Sequence, residues 1–314
     1  MSRTRRLTPA TLLLPLVLAL AACSGDAPAA GGAATATTTS ADGGAFPVTV
    51  TGDDGELTLE QRPEAIVSLS ASATEMLFAI GAGDQVEAVD STSNHPAEAP
   101  TTDLSAFTPN AEAIAAYSPD LVVLSDDMNG IVDALDALAV PTLLLGAADT
   151  LDDSYAQLET LGEATGHAEG AAEVITDMQE RIDAAVASVP AEAQGMRVYH
   201  ELDPSFFSTT SDTFVGSVYT LLGLENIADG AADAAGGYPQ LSAEYVVGQA
   251  PGLIVLADTV CCQQTAETVA QRPAFDTVPA VQEGRVLEAD DDIASRWGPR
   301  VADFAESVAA ALQG

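Results

Sequence analysis

Two hydrophobic rhythms alternate along this chain, and the same succession of them occurs twice. Residues 46–59 alternate apolar and polar around Gly52, Asp53, Asp54 and Gly55, the pattern of a β-hairpin. The run 65–70 is continuously apolar enough for a buried strand, and 86–89 forms a second one. Between them Met76, Leu77 and Ile80 recur at helical spacing, with Gly81 as the stop. Ser72 with Glu75 three residues on predicts a capping box at the start of that helix. Residues 91–108 are polar and broken by Pro96 and Pro100, so they read as a loop. Pro109 opens the next helix with Thr108 as its cap. Strands at 121–125 and 142–146 flank a helix near 130–139. This βαβ alternation predicts a mostly parallel sheet.

The middle of the chain differs. Residues 168–189 contain no proline, and Ala171, Val174, Ile175, Met178, Ile182, Ala185 and Val186 fall on one helical face. This is either a rigid strut between two lobes or a surface helix of one of them. The strand–helix pattern then restarts: a strand at 197–202, a helix at 213–222 ended by Gly223, a strand at 285–288, a loop at 289–297 and a final helix from Gly298 and Pro299.

The repetition is visible residue by residue. Residues 110–126 align without a gap on 242–258. Ala111, Glu112, Pro119, Leu121, Val123, Leu124 and Asp126 recur as Ala243, Glu244, Pro251, Leu253, Val255, Leu256 and Asp258. Upstream of each glutamate stands an aromatic, Phe107 or Tyr238. Each copy reads as a short helix, a proline break and a buried strand. The expected fold is therefore α/β: two similar lobes with mostly parallel central sheets, joined by one long α-helix, with a ligand cleft between the lobes. The boundaries are a signal peptide at 1–22, a linker at 23–45, lobes at 46–166 and 191–314, and the connecting helix at 167–190.

Composition adds the compartment. Arg3, Arg5 and Arg6 precede the apolar stretch 12–22, which has signal-peptide length and is short for a bilayer span. Leu20, Ala21, Ala22 and Cys23 form a lipobox, so Cys23 is expected to carry the lipid. Residues 24–45 are small and polar, the composition of a flexible tether. The 314-residue chain has a formal net charge of −37. Its ten basic residues are all arginines, and three of these leave with the signal segment, so seven face 47 acids in the mature protein. Such a surface repels nucleic acid and anionic headgroups.

Catalytic signatures are missing from the sequence: no G-x-S-x-G, no H-E-x-x-H and no P-loop. No enzyme and no resident cofactor are expected. Asp290, Asp291 and Asp292 lack the spacing of a calcium loop. His95, His167 and His200 are far apart, and no metal site is assigned to them. Cys261 and Cys262 are adjacent in an oxidising compartment, either as a strained disulfide or as a free, partly buried pair.

Several runs together resemble a known family. They are I-V-S-L-S-A-S-A-T-E-M-L-F-A-I-G at 66–81, S-N-H-P at 93–96, P-N-A-E-A-I at 109–114, S-P-D-L-V at 118–122 and S-R-W-G-P-R at 295–300. These resemble the substrate-binding lipoproteins of iron-complex and vitamin B12 ABC importers, the class III periplasmic binding proteins. The vitamin B12-binding members are closest in pattern, through residues 73–81 and Y-P-Q-L-S at 238–242.

The resemblance implies a monomeric extracytoplasmic receptor, anchored to the membrane by its lipid. Its partners would be an importer permease with its ATPase and a small metal-complex ligand. Glu112 and Glu244 fall where the family presents one glutamate per lobe to permease arginines. His95, Phe107, Tyr238, Asp292, Arg296 and Trp297 fall where ligand contacts are expected, with mutual pairing as the alternative for Asp292 and Arg296; Arg300 is read as anchoring its own helix or a neighbouring carboxylate. Two aromatic faces suit a flat, largely apolar ligand. Seven arginines among 47 acids make a basic siderophore pocket hard to build, so a corrinoid is expected ahead of a ferric siderophore or haem. The alternative from another class is a surface adhesion or scaffold lipoprotein, which would need an exposed aromatic face.

Overall fold

The computed structural model describes residues 46–231 and 235–313. The expected signal peptide, Cys23 and the linker lie outside the described residues. The predicted hairpin is present: β1 (Val48–Gly52) pairs antiparallel with β2 (Gly55–Leu59). The Asp53 amide donates to the Leu144 carbonyl at 2.8 Å, and its carboxylate accepts from the Gly146 amide at 2.7 Å.

The first lobe runs β3 (Ile66–Leu69), α1 (Ala71–Ala79), β4 (Val86–Val89), α2 (Ala111–Ala115), β5 (Leu121–Leu124), α3 (Ile131–Asp136), β6 (Thr142–Leu144) and α4 (Leu151–Thr165). Then comes α5 (Ala168–Ser188), 21 residues, or roughly 31 Å at about 1.5 Å per residue. The second lobe runs β7 (Arg197–Glu201), α6 (Phe214–Leu221), β8 (Glu225–Asn226), α7 (Ala243–Gln249), β9 (Leu253–Leu256), α8 (Ala266–Ala270), α9 (Pro279–Gln282), β10 (Val286–Glu288) and α10 (Val301–Ala311).

Both main sheets are parallel. The first has the order β4-β3-β5-β6 and the second β8-β7-β9-β10, so the sequence echo is a repeat of topology. β5 and β9, the strands of the echo, occupy equivalent central places.

Strand alternation splits each sheet between two cores. Ile66, Leu121, Val123 and Leu143 face one way, Val67, Leu69, Val122 and Leu124 the other. In the second sheet Val198, Leu253 and Val255 face one way, Tyr199, Ile254 and Leu256 the other. The first set from each sheet joins one continuous core with Met178, Ile182 and Ala185 of α5 and Phe304 and Val308 of α10. The outer faces keep separate cores. Burying each such side chain contributes roughly 1.5–3 kcal/mol. The helix α5 packs against α4 of the first lobe and α10 of the second. It also approaches α1 closely: a Cβ at Gly170 would stand 2.2 Å from the Ile80 carbonyl oxygen, so that contact requires glycine.

Two helix starts differ from the sequence reading. Ser70 caps α1, accepting from the Ala73 amide at 3.2 Å, in place of Ser72. With Ser70 as the cap the N3 residue is Ala73, so Glu75 lies too far into the helix to close a capping box, and two arginines take its carboxylate instead. Asn110 caps α2, accepting from the Ala113 amide at 2.9 Å, in place of Thr108. Asn110 has the extended backbone a cap needs and a short acceptor, among the strongest N-caps. Ser242 caps α7 at the same register of the echo.

Candidate functional site

In parallel α/β sheets ligands gather beyond the carboxyl ends of the strands. Here those ends from the two lobes meet. The loops concerned are 90–108, 125–130 and 145–150 in the first lobe, and 202–213, 227–231, 235–242, 257–265 and 289–300 in the second. His95, Phe107, Tyr238, Asp292, Arg296 and Trp297 all fall in these loops.

The aromatic pair is open to solvent, with Phe107 67% and Tyr238 53% exposed. Burial of its ring, then the nearby charge of Asp149, pushes the Tyr238 hydroxyl above its ordinary value. Asp149 belongs to the opposite lobe, so Tyr238 lies at the junction. Phe207 and Val260, which sequence reasoning missed, are also exposed, on the loops after β7 and β9. The Asp291 carboxylate accepts from the amides of Val260 and Cys261 at 2.9 and 2.8 Å, which fixes the Val260 loop. All four exposed side chains stand on strand-end loops.

Asp292, Arg296 and Trp297 have protein partners across the junction. The Arg296 guanidinium donates to Glu75 Oε1 at 2.8 Å, to Asn94 Oδ1 at 3.0 Å and to the Thr92 carbonyl at 2.9 Å, and pairs with Asp292 at 2.7 Å. Asn94 donates to Asp292 at 2.7 Å. Arg300 grips Glu75 with Nε at 2.9 Å and Nη2 at 2.6 Å, and this bonding raises the guanidinium above its ordinary value. The Trp297 indole donates to Gln157 at 3.0 Å, and Ser154 donates to the Trp297 carbonyl at 2.5 Å. The arm 292–300 thus clasps the first lobe.

The histidines are dispersed. His95 is exposed beside Pro96 and Glu98, lining with Glu75, Phe78 and Arg300 a cavity of about 350 Å³. His200 is buried, with Nδ1 2.6 Å from the Tyr219 hydroxyl, and burial lowers it to about 3. His167 lies by Gln85, with Nε2 at 3.0 Å from Oε1. Among the described residues no three His, Cys, Asp or Glu side chains are grouped to hold a metal.

Cys261 and Cys262 are free thiols, so of the two sequence alternatives the structure has the unlinked pair. The Cys262 amide donates to the Asp258 carbonyl at 3.2 Å in a turn, which an eight-membered ring between neighbours would distort.

Beneath that loop lies a buried polar cluster. Glu201 accepts from the Tyr199 hydroxyl at 3.0 Å and pairs with Arg272, which also donates to Gln264 at 2.7 Å. Asp258 is fully buried, and among the described residues neither carboxylate oxygen meets a hydrogen-bond donor; its carboxyl group faces that of Glu201. Burial, then the Glu201 charge, pushes Asp258 up to about 7. Its folded value thus lies above the unfolded value of about 3.9, so the stability its neutral form contributes is complete below about pH 4. That stability declines as pH rises and is lost through pH 7. Asp258→Asn, which stays neutral, is expected to gain stability relative to the parent as pH rises from 4 to 7. Urea titrations at several pH values check this, and a constant difference across that window refutes it.

Glu112 and Glu244 are both exposed in the first turns of α2 and α7, each one residue past the first helical position. Neither makes a side-chain hydrogen bond or ion pair among the described residues. The shared caps Asn110 and Ser242 hold them at equivalent places in the two lobes.

Residues 66–293 match the periplasmic binding protein family. The ABC transporter substrate-binding lipoprotein YvrC of Bacillus subtilis is 28% identical over 279 residues, covering 85% of this chain and 86% of that protein. The vitamin B12-binding protein of Pectobacterium atrosepticum is 30% identical over 259 residues, covering 80% and 88%. Among solved structures, the periplasmic vitamin B12 binding protein BtuF of Vibrio cholerae aligns with a TM-score of 0.67 and 26% identity, over 80% of this chain and 97% of that one.

Proposed function

The chain belongs to the periplasmic binding protein family, and from that premise we propose that it is the lipid-anchored extracytoplasmic receptor of an ABC importer, with a corrinoid of the cobalamin class as its ligand. The protein binds, closes slightly and delivers; it catalyses nothing. Cys23 carries the lipid, 24–45 is the tether, and Glu112 and Glu244 meet basic residues of the permease.

One observation carries the choice of ligand. The junction offers exposed Phe107, Phe207, Tyr238 and Val260, and no unpaired cation among the described residues of its loops. The arginines of those loops are Arg296, held between Glu75 and Asp292, and Arg300, held by Glu75. An anionic ferric siderophore would have to break that pairing. A large, flat, nearly neutral corrinoid needs only apolar faces and scattered hydrogen bonds. The vitamin B12-binding names of two similar proteins support the same reading.

Titration calorimetry of the purified protein with cobalamin is expected to give saturable one-to-one binding. Absence of heat with cobalamin beside a clear signal with haem or a ferric siderophore overturns the corrinoid assignment and leaves the receptor class. Absence of binding to all three favours the scaffold alternative.

A further inference from the structure

The two flanks of the lobe junction are built from equivalent parts and closed by different forces. On one flank Glu75, Phe78 and Ala79 of α1 line a cavity with Arg300, the N-cap residue of α10. On the other, Ser217, Thr220 and Leu221 of α6 line a cavity with Thr150, the N-cap residue of α4. Each α6 residue stands 142 positions after its α1 counterpart, the same offset that separates Gly81 from Gly223. Serine therefore replaces Glu75, and threonine replaces Arg300.

The consequences are visible in the bonding. On the first flank the arm 292–300 reaches Glu75, Thr92 and Asn94 of the other lobe, and its Trp297 also bonds Ser154 and Gln157 further along α4. On the second flank the side chains of Thr150, Ser217 and Thr220 bond locally rather than across the junction. Thr150 bonds Asp153, Ser217 the Phe214 carbonyl and Thr220 the Gly216 carbonyl. Among the described residues no hydrogen bond or ion pair joins 145–152 to the second lobe. Contact there is apolar, with Leu151 and Leu221 sharing a small void. A cavity of about 650 Å³ separates α4, α5 and α6 at this flank.

We propose that the junction is a one-sided hinge: the α1/α10 flank is the pivot, and the α4/α6 flank is the side that opens and closes. A charge network with fixed geometry resists rotation, whereas non-directional apolar contact beside a wide cleft allows it. The inference gives the proposed receptor the direction of its motion but does not depend on which ligand it carries.

Spin-label distance distributions in the ligand-free full-length chain, with Cys23, Cys261 and Cys262 replaced by serine, test it. One pair is Asp152→Cys with Thr220→Cys across the open flank; the other is Ala79→Cys with Ser307→Cys across the clasp. The first distribution is expected to be at least about twofold broader than the second, as for a junction with several populated states on one side only. Adding Glu75→Gln should broaden the second toward the first. Equal widths at the two flanks, or a clasp distribution unmoved by Glu75→Gln, overturn the proposal. Because no ligand is present, failure here is separable from failure of the receptor assignment.

Discussion

Glu75→Ala is expected to lower the unfolding free energy by about 3–5 kcal/mol, the range for breaking a buried ion pair by deleting one partner. The Glu75 side chain is 2% exposed, and those of Arg296 and Arg300 are 10% and 17% exposed. Removing the carboxylate strands two guanidinium groups in a poorly solvated place. Only Asp292 would remain as an acidic partner for Arg296. Glu75→Gln keeps the shape and two acceptor sites on the amide oxygen, so its effect should be smaller than that of alanine. Urea denaturation followed by Trp297 fluorescence measures both, since the indole is bonded within the same arm. A loss under about 1 kcal/mol for Glu75→Ala would place the network with surface ion pairs and deny it a structural role.

Reversing the two lobe glutamates together, Glu112→Arg with Glu244→Arg, is expected to bring importer-dependent uptake to background while corrinoid affinity stays unchanged. Disrupting a charge pair at an interface costs about 2–5 kcal/mol, so two reversals should weaken docking by more than about 100-fold. The folded protein should tolerate them. Both residues are exposed and unpaired, and losing a favourable helix-dipole contact costs only about 0.3–1 kcal/mol each. Single reversals should give intermediate uptake. Proteoliposomes holding the permease and its ATPase, supplied with each variant, provide the readout beside a calorimetric titration. Normal uptake by the double variant with normal ligand affinity would end the docking assignment.

Much of the architecture was readable from the chain because it is local and periodic. The hairpin, the parallel βαβ order, the long helix and the gapless echo follow from short-range patterning, and the two sheets repeat one topology as the echo implies. Helix starts were less legible. Ser72 and Glu75 have capping-box spacing, yet Ser70 caps α1. Glu75, two positions past N3, is instead held by Arg296 and Arg300, which stand more than two hundred positions away.

The site divides in the same way. That the chosen ligand and docking residues lie in strand-end loops and first helical turns follows from their place in the pattern. Which of them are free does not. Phe206 and Phe207 are neighbours of identical type, but Phe206 stacks on Phe275 with ring centroids 6.3 Å apart while Phe207 is exposed. Asp126 and Asp258 occupy one position of the echo, yet the first is exposed and the second fully buried beside Glu201.

The sequence by itself determined the elements, their duplication and the two equivalent glutamates, because hydrophobic period, turn chemistry and repeat spacing act over a few residues. Only the tertiary structure decided that Arg296 is held by Glu75 and Asp292 and Arg300 by Glu75, that Phe207 and Val260 are exposed on strand-end loops, and that the arm 292–300 bonds the first lobe. Charge pairing and burial depend on which distant segments the fold brings within a few ångströms, and no spacing along the chain encodes that distance.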